Sequence, residues 1–335
     1  MKKISVLLLM AVLVSGTLAG CSGTENSVSR DVEISSDAET DSGQGEEGSS
    51  ETVSFGENIE FEPVTAIENE NCTVRITDLE AEADRYMFTV EMENTSADQT
   101  FSLSPDVISV EGLIYDPDFS ELRIPAMGAS LSLISGAAPG TVESGKIWID
   151  TDVFQEIGVT DFTDIGITFQ VINYDSLDLM NGLAAEETVH IYPHGQENAV
   201  VYTREPQDTD VVLADTAEIT LTAVGSETDE ENGDFTEMLY LQNKSDQPLT
   251  FRMDENSLNG YMMDSFPYGY GTYVQIPAGA SSYLPMEFDG EDLQTNGITD
   301  VEEIGFKFSL NTLDDMGYPA ELLLEETYTV TPAAE

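Results

Sequence analysis

One stretch of this chain occurs twice. Gly158-Val159-Thr160-Asp161-Phe162-Thr163-Asp164-Ile165-Gly166-Ile167-Thr168-Phe169 returns as Gly297-Ile298-Thr299-Asp300-Val301-Glu302-Glu303-Ile304-Gly305-Phe306-Lys307-Phe308, 139 residues on. The correspondence runs without a gap from about 137–193 onto 276–332, and the unit ends agree: Glu186-Glu187-Thr188 with Pro193, Glu325-Glu326-Thr327 with Pro332. Upstream, Asn94-Thr95-Ser96 and Phe101 match Asn243-Lys244-Ser245 and Phe251 at a larger offset, so the first repeat carries an insertion in between. A period this long is a duplicated domain rather than a solenoid unit. The expected division is one domain over 58–194 and its duplicate over 195–335, parted by the polar link His194-Gly195-Gln196-Glu197-Asn198.

Within each repeat the apolar period is two. Phe88, Val90 and Met92 fall on one face of their segment, and Leu239 and Leu241 take the places of Val90 and Met92 in the duplicate. That alternation is the pattern of a half-buried strand. Further strands are expected over 74–79, 166–172, 188–192, 219–223, 305–310 and 327–331, with a hairpin turn at Glu231-Asn232-Gly233-Asp234. One helical turn is expected at 151–157 and another at 291–296, with Asp150 and Asp289 as caps and Phe154 and Leu293 pointing inward. Seven to nine short strands per repeat predict an all-β chain of two tandem immunoglobulin-like sandwiches. The strand ending in Asn-x-Ser, the later glycine turn and the Gly-[Ile/Val]-Thr-Asp-x-x-x-Ile-Gly-x-x-Phe segment resemble uncharacterised bacterial lipoproteins of Gram-positive type. Those carry tandem immunoglobulin-like domains of unknown function; the resemblance implies a fold and an address and transfers no catalytic residue.

The address is also written at the start of the chain. Lys2 and Lys3 precede an apolar run from Val6 to Val14, and Leu18-Ala19-Gly20-Cys21 follows. This order reads as an export signal over 1–20. The run is too short for a spanning helix, which needs about 20 apolar residues. The segment is similar to bacterial lipoprotein precursors, which implies a diacylglycerol thioether, with acyl chains such as palmitate, on Cys21. Each buried CH₂ contributes about 0.8 kcal/mol, so two chains suffice to hold a protein on the cell membrane at its extracytoplasmic face. Residues 21–57 are then expected to form a disordered acidic linker. Ser, Gly, Glu, Asp and Thr dominate it, and Phe55 is its one aromatic residue. A flexible coil of that length spans on the order of 30 Å.

The formal net charge is −54, with 65 acidic residues against 11 Lys and Arg, two of which lie in the signal. Nucleic acid needs clustered cations on its phosphates and is excluded as a partner. Apart from Cys21 the sole cysteine is Cys72, in the alternating segment Asn71-Cys72-Thr73-Val74-Arg75-Ile76, where it reads as a small buried hydrophobe.

Catalytic patterns are thin. His190 and His194 become Thr329 and Ala333 in the duplicate, and no cysteine pair joins them as a zinc set would require. Gly140-Thr141-Val142-Glu143-Ser144-Gly145-Lys146 matches a phosphate loop in form, but Ile147 follows in place of Ser or Thr, and Ile147-Trp148-Ile149 reads as strand. No Ser-x-x-Lys or Gly-x-Ser-x-Gly occurs. Acidic residues crowd the turn at Asp150 and Asp152 and its counterpart at Asp289, Glu291 and Asp292, which reads either as a solvated turn or as a Ca²⁺ site. The most distinctive stretch is 261–273, where Tyr261, Phe266, Tyr268, Tyr270 and Tyr273 are interleaved with Gly269, Gly271 and Pro267. Such tyrosines supply contact area at low entropy cost. The expectation is therefore a non-catalytic, lipid-anchored binding or accessory protein. It would meet an envelope protein or glycan through this stretch. The alternatives are the solute-binding lipoprotein of a transporter and an envelope hydrolase.

Overall fold

A computed structural model describes residues 59, 61–82, 84–117, 120–125, 132–174, 182–229, 231–267, 273–314 and 317–332. Cys21, the signal and the acidic linker lie outside them. In the first repeat the strands are β1 (Val64–Glu68), β2 (Cys72–Ala81), β3 (Arg85–Asn94), β4 (Phe101–Val110), β5 (Leu113–Tyr115), β6 (Ile134–Ala137), β7 (Val142–Asp150), β8 (Ile165–Asn173) and β9 (Leu183–Ile191). Helix α1 (Asp152–Glu156) lies between β7 and β8. The strands form two sheets, β1-β2-β3-β7 and β5-β4-β8-β9, with β6 on β4. A hairpin whose second strand also pairs with a later strand, opposite a sheet made from the strand that follows and the last two, is immunoglobulin-like connectivity.

The second repeat reproduces the first strand for strand: β10 (Val211–Asp215), β11 (Ile219–Thr228), β12 (Phe235–Asn243), β13 (Leu249–Leu258), β14 (Tyr261–Met262), β15 (Val274–Ile276), β16 (Ser281–Phe288), α2 (Gly290–Asn296), β17 (Ile304–Leu313) and β18 (Pro319–Val330). Its ladders are β10-β11-β12-β16 and β14-β13-β17-β18, with β15 on β13. Even the irregularities recur. The register shift between Ile76 and Asp78 returns between Ala223 and Gly225, and that between Thr65 and Ile67 returns between Val212 and Ala214. The chain is all-β, as its alternation predicts.

Alternation also decides what is inside. Phe88, Val90 and Met92 on β3 face Ile167, Phe169 and Val171 on β8, all fully buried. The end of this core is closed by Tyr86, Phe154 and Phe162, with ring centroids 4.7 Å (Tyr86 to Phe162) and 4.8 Å (Phe154 to Phe162) apart. Burying each such side chain contributes about 1.5–3 kcal/mol. Cys72 belongs to this core, and burial pushes its thiol pKa up. In the second repeat Leu239 and Leu241 face Phe306, Phe308 and Leu310. The glycine of the duplicated Ile-Gly segment has a steric cause in both. A Cβ on Gly166 would lie 2.7 Å from Ser109 Oγ, and one on Gly305 would lie 2.6 Å from Ser257 Oγ.

The helical turns bury Phe154 and Leu293 as expected. Asp289 caps α2, accepting from the Glu291 and Asp292 backbone N–H groups at 2.7 and 3.3 Å. Asp150 does not cap α1. Thr151 stands at that N-cap without a side-chain capping hydrogen bond, and Asp150 instead accepts from Ser120 Oγ at 2.6 Å and Tyr115 Oη at 3.1 Å.

The two sandwiches share a sheet. Strand β5 pairs in parallel with β16, Ser281 opposite Leu113, so one path runs β10-β11-β12-β16-β5-β4-β8-β9. Ser281 N–H donates to Gly112 O at 2.8 Å, and Tyr283 N–H donates to Leu122 O at 3.3 Å. The segment after β5, in the region of the insertion, supplies the rest of the joint. Ile114 and Ile124 pack into the second core, and Tyr240 packs into the first. Arg123, 3% exposed, lies 3.3 Å from Asp116, 3.1 Å from Glu121 and 3.8 Å from Glu287. The link between the repeats runs along this joint, with Tyr202 N–H donating to Glu111 O at 2.8 Å and Tyr202 Oη 3.4 Å from Tyr283 Oη. Beyond it, Arg204 grips Asp210 with two hydrogen bonds of 2.6 and 2.9 Å.

Candidate functional site

The aromatic stretch begins on β14, which is held to the end of β13 with Tyr261 opposite Leu258 and Met262 opposite Ser257. It leaves the strand at Met263, whose N–H donates to Asn256 O at 2.9 Å. It then crosses to the other sheet, where Phe266 exchanges two 2.9 Å backbone hydrogen bonds with Glu287 on β16. The chain returns to β13 through β15, which is paired with Leu249, Thr250 and Phe251. Tyr261 and Tyr273 are therefore separated by most of the length of β13, roughly 20 Å at strand rise. Tyr268 and Tyr270 lie outside the described residues.

All three described aromatics are exposed: Tyr261 54%, Phe266 53% and Tyr273 45%. Met262 beside them is 68% exposed. Two have a cationic neighbour. The Arg252 guanidinium lies 5.1 Å from the Tyr273 ring centroid, and that of Arg123 lies 5.9 Å from the Phe266 ring. The result is a row of apolar and aromatic side chains along one edge of the second sandwich, not one stacked tip. Ser265 is buried behind the row and accepts from Asn256 Nδ2 at 2.7 Å.

The acidic residues of the second turn separate. Asp289 is spent on the α2 cap, while Asp292 lines an open depression with Asp254, Glu255, Asp264 and Met262. Asp254 is paired with Arg252. Among the described residues no group of three or more His, Cys, Asp or Glu side chains is arranged to hold a metal ion. Asp289, Glu291 and Asp292 are not brought around one point.

The histidines each meet an aspartate. His190 Nδ1 lies 2.7 Å from Asp164, and His194 Nε2 lies 2.7 Å from Asp161 as a close contact without hydrogen-bond alignment. Asp161 also accepts from Tyr86 Oη at 2.6 Å, which ties this cluster to the core. The look-alike phosphate loop runs straight into β7, where Lys146 pairs with Glu80 at 3.8 Å.

Two buried groups stand out that the residue pattern alone did not mark. Arg123 is one. Glu237 is the other: it occupies on β12 the inward position that Phe88 holds on β3, is 2% exposed, and has a buried Oε2 with no hydrogen-bond partner. Burial pushes its carboxyl pKa up to about 8. The repeat alignment places Glu237 on the core face between Phe235 and Leu239, which is the one signal that could have found it.

No family model and no curated protein matches this chain. Among solved structures it is similar to a red sea bream transglutaminase at 9% identity, over 75% of this chain and 29% of that one, with a TM-score of 0.21. It is similar also to a protein of unknown function from Porphyromonas gingivalis W83, at 13% identity over 78% of this chain and 99% of that one, with a TM-score of 0.20. The chain thus spans under a third of the transglutaminase. The class is defined by the fold itself: an all-β protein of duplicated immunoglobulin-like sandwiches.

Proposed function

We propose that this protein is a non-catalytic accessory lipoprotein. A lipid on Cys21 anchors it to the extracytoplasmic face of the cell membrane, and its second sandwich contacts an envelope protein or a glycan. The observation that carries the reading is the exposure of Tyr261, Met262, Phe266 and Tyr273 along one edge of the second sandwich, spanning both of its sheets. Apolar side chains held out by a fixed backbone serve contacts, because water gives them no return for exposure. Tyrosine faces suit both sugars and peptides. The alternative of a transporter's solute receptor calls for alternating helices and parallel strands. The described chain has short helical turns and almost wholly antiparallel ladders.

The test uses the chain from residue 22 onward, immobilised against solubilised envelope and purified wall glycan, with and without Ca²⁺. Retention of one component, reduced at least about tenfold by replacing Tyr261 and Tyr273 with Ala, supports the reading; tenfold corresponds to about 1.4 kcal/mol. Retention unchanged by both substitutions removes the aromatic row from it. Retention that requires Ca²⁺ would bring the turn of Asp289, Glu291 and Asp292 into the contact.

A further inference from the structure

The internal joint has two halves, and the duplication leaves one of each unused. In the joint, β5 of the first repeat lies on the outer edge of β16 of the second. The counterpart of β5 is β14, and the counterpart of β16 is β7. Both end their sheets: β14 terminates β14-β13-β17-β18, and β7 terminates β1-β2-β3-β7. Among the described residues no strand pairs with the outer edge of either.

The equivalence holds to single residues. Leu113 opposite Val110 and Ile114 opposite Ser109 correspond to Tyr261 opposite Leu258 and Met262 opposite Ser257. The tight turn before each strand is the same, with positive φ at Glu111 (54°) and Gly112 (81°) and again at Asn259 (50°) and Gly260 (80°). Gly112 O is the acceptor that takes the Ser281 N–H. Gly260 O is its counterpart, and the 139-residue offset makes Val142 the counterpart of Ser281. Leu113 is fully buried in the first core and Ile114 across the joint in the second, whereas Tyr261, Met262 and Val142 are 54%, 68% and 59% exposed.

We propose that these halves meet between molecules: β14 of one chain adds in parallel to β7 of a second copy, Gly260 O accepting from Val142 N–H, Tyr261 and Met262 covering the β7 edge. A head-to-tail contact of this kind leaves a free half at each end of every oligomer, so it extends as an open series wherever its rotation does not close a ring. An unpaired edge is a template for such addition. The contact is weaker than the internal joint, because the counterparts of Leu122, Arg123 and Ile124 fall in the region where the second repeat is shorter. The net charge of −54 opposes it, so salt strengthens it by screening. The inference does not depend on the envelope contact proposed above, although both use Tyr261, and its test contains no envelope material.

The experiment is sedimentation velocity on the chain from residue 22 onward, which keeps both cores whole, over a range of concentrations at low and high salt. The expected result is an average mass that climbs with concentration without a plateau, more steeply at high salt. Val142→Lys and Tyr261→Lys, both at exposed positions, should each be monomeric with unchanged circular dichroism. Mixed together they should form a 1:1 dimer and nothing larger, since one keeps β14 intact and the other keeps β7. Three outcomes overturn the proposal: a wild-type chain monomeric to about 1 mM at high salt, variants that associate as the wild type does, or a mixture that stays monomeric while the wild type associates.

Discussion

Glu237 holds a position that a core does not give a carboxylate without consequence. Its counterpart Phe88 fills the first core, and Glu237 fills the same place with one oxygen unpartnered. An ionised carboxylate there loses its hydration without replacement, so the proton is retained up to about pH 8 instead of the usual 4.5. A folded-state value above the unfolded one means that the stability is complete below about pH 4.5 and is lost as pH rises through about 8. The loss is on the order of a few kcal/mol. Glu237→Gln removes it: urea midpoints of variant and wild type should differ little at pH 5 and favour the variant clearly at pH 8.5. Equal shifts at both values would show that Glu237 does not titrate in the fold. Asn94 and Asn243 work oppositely, with every polar atom engaged. Asn243 Nδ2 reaches the carbonyls of Gln247, Ile276 and Pro277 at 2.9–3.2 Å, and its Oδ1 accepts from Ser245 N–H and Oγ at 2.9 and 2.7 Å. Asn94 does the same with Gln99, Ala137 and Ser96. Alanine at either position strands buried carbonyls and should cost about 3 kcal/mol in denaturant unfolding. These asparagines were legible, because Asn-x-Ser recurs. The burial of Glu237 was not, because a glutamate in an alternating strand reads as solvent-facing unless its partner in the duplicate is consulted.

At the scale of elements the joint matters most. It is made of the β5–β16 pairing, a backbone bridge between Arg123 and Tyr283, a buried Arg123 side chain among Asp116, Glu121 and Glu287, and the side chains of Tyr202, Tyr240 and Tyr283. Removing only Arg123 leaves Asp116 buried beside a missing cation. Arg123→Ala should therefore destabilise the chain by about 3–5 kcal/mol, while Arg123→Met combined with Asp116→Leu should recover most of that. A loss under about 0.5 kcal/mol for the single variant, a value typical of surface sites, would place the cluster outside the cooperative fold. None of this could be read from periodicity. The strands, their inward faces and the short helices followed from alternation and spacing. The pairing of β5 with β16 uses backbone groups that any strand edge offers, and the insertion that completes it has no counterpart in the duplicate to mark it. The Asp150 cap failed for a related reason: Ser120 and Tyr115, brought close only by the fold, take its oxygen first.

At the scale of the molecule the two repeats act as one body, because a sheet crosses their boundary. The exposed edge of the second repeat is thereby held at a fixed place relative to the first, which is what a contact surface requires. The outer edges of β7 and β14 carry no strand partner among the described residues, and the proposed association between copies is built on them. Both consequences rest on the pairing of β5 with β16, and one amide reports on it. Ser281 N–H donates to Gly112 O across the boundary, and its neighbour Ser282 faces β12 within the second repeat. Native-state hydrogen exchange should find Ser281 protected to the level of the amides that join β12 to β16, with Arg123→Ala lowering that protection first. Exchange of Ser281 at the rate of an open sheet edge, while the β12 to β16 amides stay protected, would mean that the sandwiches are separate bodies and that the shared sheet does not form.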